Sequence, residues 1–282
     1  MRKALTYAAL CIWSAVCLFP LYWVAVTSFK DEFAVAKGPF YLPLVDFTPT
    51  LAGWDFIFHD REDNLGTRYL NSAVVAVVST VFTVLIASMA AYGLSRFRSG
   101  RLLSNHGIGF AILASRVLPP VVLAAPLYMM AQATGTLDTR LALIVTYCAI
   151  NLPVAFWLLQ PVLGPGASEQ EEAAVLEGAS HLRIFFTIVL PMAASGIATV
   201  ALLNFVLCFN EYLFASVLVS DHAQTVPPWL VSQISFKESQ IIAEGDELSH
   251  LSVAILLTVA PLLVITGLVQ RFPGRLSMVQ KP

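Results

Sequence analysis

The sequence predicts an all-α integral membrane protein with six transmembrane helices and both termini in the cytoplasm. Of its 282 residues, 57% are hydrophobic and only 12% are charged, whereas an ordinary soluble domain carries roughly 25% charged residues. The mean hydropathy is +0.76 and the net charge is −2. The apolar residues fall in long blocks. This pattern excludes a soluble enzyme, a disordered chain and a nucleic-acid binder that acts through overall basic charge.

Six stretches are long enough to cross a bilayer, whose hydrocarbon core requires about 20 mostly apolar residues. They predict spans at about 6–29, 69–95, 104–133, 141–163, 187–219 and 248–270 within a single transmembrane domain, 1–282. The third span contains one charge, Arg116, and the fifth contains Glu211. Prolines within several spans predict broken or bent helices.

The N-terminus begins with the basic residues Arg2 and Lys3, as a secretory signal does. A signal core runs about 7–15 residues, whereas the uncharged run from Ala4 to Phe29 is longer, so we expect the first helix to be retained. Basic residues are denser beside the span ends on the side of the N-terminus, which places both termini inside. The external loops are then about 30–68 and 220–247.

The first external loop mixes prolines and aromatic residues with many acids. Two interpretations are equally open: a folded cap on the membrane surface, or a docking surface for an external partner, since aromatic anchors among charges suit an interface.

The cytoplasmic loop 164–190 carries several helix signals. Ser168 and Glu171 have the spacing of a capping box, and we expect the helix to run through Glu177 and stop at Gly178. Ser180 is then expected to cap a second helix leading into the fifth span.

The first of these helices has about nine residues, too few to be stable alone in water. Ala173, Ala174 and Leu176 offer a small apolar ridge on which it could pack. The ridge suits either a soluble partner or the lipid headgroups, and the spacing alone leaves both open.

The same loop resembles the EAA loop of ABC importer permeases. That loop reads E-A-A, three residues, G, nine residues and I-x-L-P, and here it is carried by Glu172-Ala173-Ala174, Gly178 and Ile188-Val189-Leu190-Pro191. Other motifs resemble the carbohydrate-uptake branch and its maltose-permease-like second subunit. These motifs are Phe19-Pro20-Leu21-Tyr22-Trp23, Ser28-Phe29-Lys30, Asn71-Ser72, Ala91-Tyr92-Gly93-Leu94-Ser95-Arg96-Phe97, Pro119-Pro120, Pro126-Leu127-Tyr128, Gly135-Thr136-Leu137-Asp138-Thr139 and Asn210-Glu211-Tyr212.

The resemblance implies a set of partners. A second homologous permease would pair with this chain, two ATP-binding cassette ATPase subunits would bind ATP and Mg²⁺, and an external substrate-binding protein would deliver the substrate. The short helix would be the coupling helix that sits in a cleft of an ATPase, and Gly178 would allow a tight, closely packed turn after it. The residues implied in ATPase coupling are Glu172, Ala173, Ala174, Leu176, Gly178, Arg183 and Pro191.

Two segments depart from the family pattern. Leu163-Gly164-Pro165-Gly166-Ala167 replaces the usual aromatic residues and Ile-Pro before the EAA segment, and the tail 272–282 replaces a small, Gly-rich one. A tail contact with the ATPases is therefore not expected.

Charged and amide side chains inside the spans have two interpretations. Arg116, Gln132, Asn210 and Glu211 could line the substrate pathway and bond sugar hydroxyls. Alternatively, Arg116 could bond carbonyls freed by the Pro119-Pro120 pair, and Glu211 could hold helix ends near the outer surface, because a charge at mid-helix needs a partner or water. We favour a structural or gating role for Arg116 and leave Glu211 open.

The sequence predicts a transport subunit rather than an enzyme, in the cell (inner) membrane, with no cofactor, metal or nucleic acid bound by this chain. No G-x-x-x-x-G-K-[ST] phosphate loop occurs, so ATP hydrolysis must come from another polypeptide. The alternatives are a secondary transporter driven by an ion gradient, and an importer subunit for a non-sugar solute such as a glycerol phosphate. A secondary transporter would require inverted repeats and buried acids at the midplane, of which only Glu211 is found.

Overall fold

The protein is described by a computed structural model over residues 2–38, 41–59, 65–97, 104–164, 169–235 and 244–271. These residues are helical, with one isolated β-bridge and no strand among them. The α-helices are α1 (Arg2–Thr27), α2 (Glu32–Ala36), α3 (Ala52–His59), α4 (Leu65–Arg96), α5 (Asn105–Ala114), α6 (Pro120–Ala133), α7 (Arg140–Leu163), α8 (Glu169–Leu176), α9 (His181–Ile184), α10 (Leu190–Met192), α11 (Ala194–Phe209), α12 (Leu213–Leu218), α13 (Val226–Ser235) and α14 (Glu244–Arg271). The all-α class is thus confirmed over these residues.

Four helices are long and apolar enough to cross a membrane: Leu5–Thr27, Leu65–Arg96, Arg140–Leu163 and Leu248–Gly267. The predicted spans 104–133 and 187–219 correspond to pairs of helices. Asn105–Val117 and Pro120–Ala133 meet at 90°, and His181–Met192 and Ala194–Phe209 meet at 82°. The described residues therefore hold four candidate spans, or up to six if each bent pair counts as one.

Proline accounts for the first of these bends. The residue before a proline disfavours the α conformation, and two prolines follow Leu118, whose ψ of 125° takes the chain out of the helix. Pro120 then begins α6, where its missing N–H is harmless. At the second bend, Pro191 cannot donate a helical hydrogen bond, the residues before it form a π-helical segment, Phe185–Val189, and the chain turns at Ala193.

The chain divides into two compact units: Met1–Thr67 with Pro228–Leu263, and Arg68–Pro227 with Val264–Pro282. In the second unit, α7 packs against α5, α11 and α12. Its core contains Ala87, Phe156, Leu159 and Phe185, all at most 1% exposed. The assignment of the whole chain to one transmembrane domain stays a prediction.

A buried polar seam joins α4, α7 and α11 within the second unit. The Asn204 Nδ2 group donates to Thr80 Oγ1 at 3.2 Å, and Asn151 Nδ2 donates to Cys208 Sγ at 3.3 Å. All four residues are buried. Inside a membrane the hydrophobic effect does not drive helices together, because lipid tails are as apolar as the side chains. Interhelical hydrogen bonds such as these therefore help to hold the helices together. The buried thiol of Cys208 is thus a hydrogen-bond acceptor in this seam.

In the first unit, the segment after α1 folds back on the end of that helix. Lys30 is buried with its Nζ 4.5 Å from the centroid of the Trp23 ring and 5.5 Å from that of Phe47, in cation–π contacts. Burial lowers the pKa of Lys30, and the Asp46 carboxylate opposes this by raising it. These contacts favour the folded-cap interpretation of the first external loop, whereas its exposed apolar side chains leave the docking alternative untested.

Candidate functional site

The loop with the EAA motif contains the short helix α8, Glu169–Leu176. Its first turn holds three acids, Glu169, Glu171 and Glu172, where the positive end of the helix dipole favours them. The helix ends one residue before the predicted end at Glu177. Ser168, the other half of the predicted capping box, lies outside the described residues.

The helix ends in a Schellman motif centred on Gly178. The N–H of Gly178 donates to the Val175 carbonyl and that of Ala179 to the Ala174 carbonyl, both at 3.0 Å. Gly178 has φ +82°, which side chains with a Cβ rarely adopt. A Cβ at this position would meet nothing within 4 Å. The backbone conformation therefore requires the glycine, and the close packing that we expected around it is not found within the described chain.

A second helix starts directly after this turn, as the sequence predicted. The Ser180 side chain accepts from the N–H of Arg183 at 3.4 Å and so caps α9. Arg183 is exposed, and its carbonyl accepts from Thr187 Oγ1 at 2.7 Å. Pro191 is exposed and lies in the first turn of α10.

One side of α8 is available to a partner. Glu172 and Ala173 are exposed, and the Leu176 side chain is 89% exposed. Of the predicted apolar ridge, only Ala174 packs against the core of this chain. Val175, beside Leu176, is 48% exposed, so the end of α8 presents two apolar side chains to a protein or lipid contact.

The opposite side of α8 is fixed by an ion pair that the sequence analysis did not predict. Arg96, at the end of α4, donates from Nε to Glu171 Oε2 and from Nη2 to Glu171 Oε1, both at 2.9 Å. The two side chains are only 11% and 9% exposed. Two parallel hydrogen bonds fix both the distance between the guanidinium and the carboxylate and their relative orientation.

A cavity of about 380 Å³ adjoins this ion pair. Its walls include Tyr92 and Arg96 from α4, Glu172 and Leu176 from α8, and His181 from α9. The side of α8 that carries Glu172 and Leu176 therefore faces open space next to the ion pair.

The four side chains considered for a substrate pathway do not form a bonded cluster in the part of the chain that the structure describes. Within the described residues, no hydrogen bond or ion pair joins Arg116, Gln132, Asn210 and Glu211 to one another. Arg116 is exposed and donates from Nη1 to the Ile150 carbonyl on α7 at 3.1 Å, rather than to the carbonyls freed by the two prolines. Gln132 and Asn210 are exposed, and Asn210 Nδ2 donates back to the Val206 carbonyl at 2.9 Å.

Glu211 acts as a helix cap. Its two carboxylate oxygens accept from the N–H groups of Phe214 at 2.9 Å and Ala215 at 3.0 Å, in the first turn of α12. Helix α11 has already ended at Phe209, before the predicted end of the fifth span at 219. The carboxylate thus satisfies N–H groups that a helix start leaves free, as the structural interpretation of Glu211 proposes.

The turn between α6 and α7 contains Asp138, which binds a run of backbone N–H groups after α12. The Asp138 carboxylate accepts four backbone N–H bonds: from Ser220 at 3.1 Å, Asp221 at 3.3 Å, His222 at 3.0 Å and Ala223 at 3.2 Å. Burial raises the pKa of the Asp138 carboxyl, but these N–H groups lower it by more, so the pKa lies below its ordinary value. The start of the predicted loop 220–247 is thereby fixed to this turn.

Asn71 links the same segment to the start of α7. Its Nδ2 donates to the carbonyls of His222 at 3.1 Å and Gln224 at 2.9 Å, and its Oδ1 accepts from Arg140 Nε at 2.7 Å. Arg68 Nε donates to Gln224 Oε1 at 2.8 Å. Asn71 and Asp138 both belong to motifs that the family resemblance singled out, but their partners, 69 or more residues away, carried no signal in the sequence.

An all-helical membrane protein that presents a capped, exposed helix between apolar segments has the architecture of a transport permease subunit. Residues 83–276 match the family described as the inner membrane component of binding-protein-dependent transport systems, and the chain belongs to that family. It is therefore a multi-pass inner-membrane protein and a transport subunit rather than an enzyme, as the sequence predicted.

Relatives with assigned names agree with this membership. The chain is 32% identical to the diacetylchitobiose uptake system permease protein NgcG of Streptomyces coelicolor, over 95% of this chain and 85% of that protein. It is also 32% identical to the trehalose/maltose transport system permease protein MalG of Thermococcus litoralis, over 80% of each chain. The resemblance to carbohydrate-uptake permeases is thus confirmed.

Solved structures share the fold. A chain of a bacterial ABC transporter involved in the import of the acidic polysaccharide alginate superimposes with a TM-score of 0.76 at 22% identity, over 96% of both chains. A chain from the bacterial alginate transporter in complex with a pentasaccharide-bound periplasmic protein gives a TM-score of 0.64 at 14% identity, over 97% of this chain and 95% of that one.

Proposed function

We propose that this chain forms half of the translocation pathway of an ATP-driven importer for a sugar, oligosaccharide or polyol. It would cross the membrane six times, with each bent pair of helices as one span and both termini in the cytoplasm. A second homologous permease would supply the other half of the pathway, and an external substrate-binding protein would deliver the substrate.

The proposed energy source is a pair of ATPase subunits that bind ATP and Mg²⁺ and contact α8. The observation that carries this proposal is the exposed Leu176 on a helix whose end is set by the Schellman turn at Gly178. The Schellman turn fixes the C-terminal end of this helix, and the ion pair between Arg96 and Glu171 joins its first turn to α4. The residues proposed to couple the two proteins are Glu172, Ala173, Ala174, Leu176, Gly178, Arg183 and Pro191.

The substrate class rests on the relatives, which are named for the uptake of diacetylchitobiose and for the transport of trehalose and maltose. For the pathway, we propose that the exposed amides of Gln132 and Asn210 face the substrate. Arg116 and Glu211 bond backbone groups of other helices, α7 and α12, whereas the Asn210 amide bonds a carbonyl of its own helix. We therefore assign Arg116 and Glu211 to the support of the helices that border the pathway.

Affinity purification of the tagged chain from gently solubilised native membranes tests the proposal. We expect two further kinds of polypeptide: an ATPase with a phosphate loop and a second permease with an EAA loop. The purified assembly, placed in liposomes with the binding protein encoded beside it, should take up labelled oligosaccharide only when ATP is supplied.

Recovery of this chain alone, under conditions that keep a known importer intact, would contradict the proposal. Uptake driven by an imposed proton or sodium gradient without ATP would instead identify a secondary transporter. ATP-dependent uptake of a glycerol phosphate, with no uptake of sugars, would retain the importer and overturn the substrate class.

A further inference from the structure

The buried ion pair between Arg96 and Glu171 distinguishes one acid of α8 from its neighbours. Glu169, Glu172 and Glu177 are exposed, as acids on a solvated helix ordinarily are, whereas Glu171 is buried. A buried charge requires a partner, and removal of that partner is strongly destabilising. Arg96 provides the partner in bidentate geometry, with both N···O distances at 2.9 Å.

Arg96, the last residue of α4, lies close to the end of α7 and to the first turn of α8. Its Nη1 donates to Ser95 Oγ at 3.2 Å, and Ser95 Oγ donates in turn to the Leu163 carbonyl, the last residue of α7, at 3.3 Å. Its guanidinium lies 5.4 Å from the centroid of the Tyr92 ring, which packs against Phe185 after the turn. Arg96 thus bonds α8 directly. The contacts to the end of α7 and to Phe185 are made by its neighbours on α4: Ser95, whose hydroxyl also lies 2.7 Å from the Tyr92 carbonyl, and Tyr92.

Besides the ion pair, helix α8 contacts α9 and the π-helical segment Phe185–Val189. Glu171 is its one buried residue, Ala174 packs against the core from the margin, and the cavity of about 380 Å³ lies between α8 and its neighbours. A helix of this length does not hold its position by its own stability. The two hydrogen bonds of the ion pair join α8 directly to the end of α4.

We propose that Arg96 and Glu171 are positioning residues for coupling: they join α8 rigidly to the cytoplasmic end of α4, so that a displacement of either helix moves the other. This inference rests on the proposed function of α8 as the contact to an ATPase. Neither residue needs to touch ATP, the ATPase or the substrate. Their role is to transmit displacement between a membrane-spanning helix and the helix at the surface.

The test uses the complete importer in liposomes and measures substrate taken up, ATP hydrolysed and the ratio between them. The variants are Glu171→Gln, Arg96→Lys, Arg96→Glu, Glu171→Arg and the exchanged pair Arg96→Glu with Glu171→Arg. Glu171→Gln and Arg96→Lys keep the side-chain size and one hydrogen bond, so we expect folded, inserted protein. A loss of the whole assembly would lower uptake and hydrolysis together, whereas a loss of positioning should raise the ATP hydrolysed per substrate.

We expect each charge reversal to lower uptake about tenfold or more, since each leaves a buried charge facing a like charge. The exchanged pair should recover a large part of that loss, and Glu171→Gln and Arg96→Lys should raise the ATP used per substrate severalfold. Glu169→Arg is the specificity control: it reverses an exposed acid on the same helix, and Arg96→Glu should not rescue it.

Normal uptake and normal ATP use in both Glu171→Gln and Arg96→Lys would overturn the inference. An exchanged pair that assembles with the ATPases at the normal level but transports no better than either single reversal would also overturn it. A wild-type chain that binds no ATPase would refute the proposed function itself, so the two failures are distinguishable.

Discussion

Replacing Asp138 by alanine removes the acceptor of four backbone N–H groups at once. These groups belong to the consecutive residues Ser220, Asp221, His222 and Ala223. Without the carboxylate, the start of the loop after α12 should be held less tightly to the turn between α6 and α7. The Asp138 N–H bond to the Leu218 carbonyl and the Asn71 bonds to the segment remain. The effect should appear first as a loss of stability in the unit that contains both segments.

The magnitude follows from the exposure of these residues. Ser220, Asp221 and His222 are exposed, so water can replace the carboxylate there, and each lost bond should cost only a few tenths of a kcal/mol, about as much as an exposed ion pair contributes. Ala223 is 2% exposed, so its N–H is left without a partner at a cost of about 1–3 kcal/mol. The sum is about 2–4 kcal/mol, or a fall in Tm of roughly 5–10 °C.

The stabilisation should also depend on pH. The folded-state pKa of Asp138 is lowered, and the unfolded value is about 3.9. A lowered carboxyl pKa contributes stability that is complete above the unfolded pKa and declines as the pH falls through the folded one. The difference in Tm between the wild type and Asp138→Ala should therefore be constant from about pH 5 to 8 and narrow below about pH 4.

Thermal unfolding in detergent, followed by tryptophan fluorescence, measures both effects. Asp221→Ala is the matched control, because it removes an exposed carboxylate from the same cluster while its backbone N–H remains. A shift in Tm for Asp138→Ala no larger than that of Asp221→Ala would refute the reasoning. A difference that widens as the pH falls from about 6 to 4 would show that the folded-state pKa of the carboxyl is raised, not lowered.

Three further substitutions address the turn, the cap and the polar seam. Gly178→Asp should insert normally and fail in coupled uptake, whereas Gly178→Asn, which tolerates the same φ without adding a charge, should retain most of it; equal loss in both would show that the added charge is not the reason. Glu211→Gln should lower stability by about 1 kcal/mol, through a weakened cap on α12, and leave the KM for substrate unchanged; a KM raised about tenfold would place Glu211 in the pathway. Asn204→Leu should destabilise by about 0.6–1.7 kcal/mol by removing the bond to Thr80, measured as Tm against Thr199→Val at an exposed position.

Local signals predicted the loop well because caps and turns depend on neighbours in sequence. Gly178 ends α8 by its left-handed backbone and Ser180 caps α9, and both outcomes are set within five residues. Pro119 and Pro120 likewise restrict the backbone beside them, so the bend before α6 could be predicted from the sequence. The angle of that bend was not, since packing of the helices sets it.

Long-range partners could not be predicted from spacing. A capping box and the helix dipole already explained Glu171, so its sequence neighbours gave no reason to predict an ion pair with Arg96, 75 residues earlier. Asp138 stood in a motif of the family, but its four donors lie 82 to 85 residues later, and backbone N–H groups leave no mark on a sequence. These contacts arise from tertiary packing, which one sequence without an alignment does not disclose.

The proposed coupling to ATP hydrolysis requires that the exposed side of α8 contacts an ATPase. A photo-crosslinking amino acid in place of Leu176, in the otherwise intact chain in native membranes, tests this directly, because that side chain is 89% exposed. We predict one dominant crosslinked protein, an ATPase with a phosphate loop, and loss of that product when Gly178→Asp is added. Crosslinks only to lipid or to a second copy of this chain, while a known importer labelled at the same helix yields its ATPase, would contradict the account.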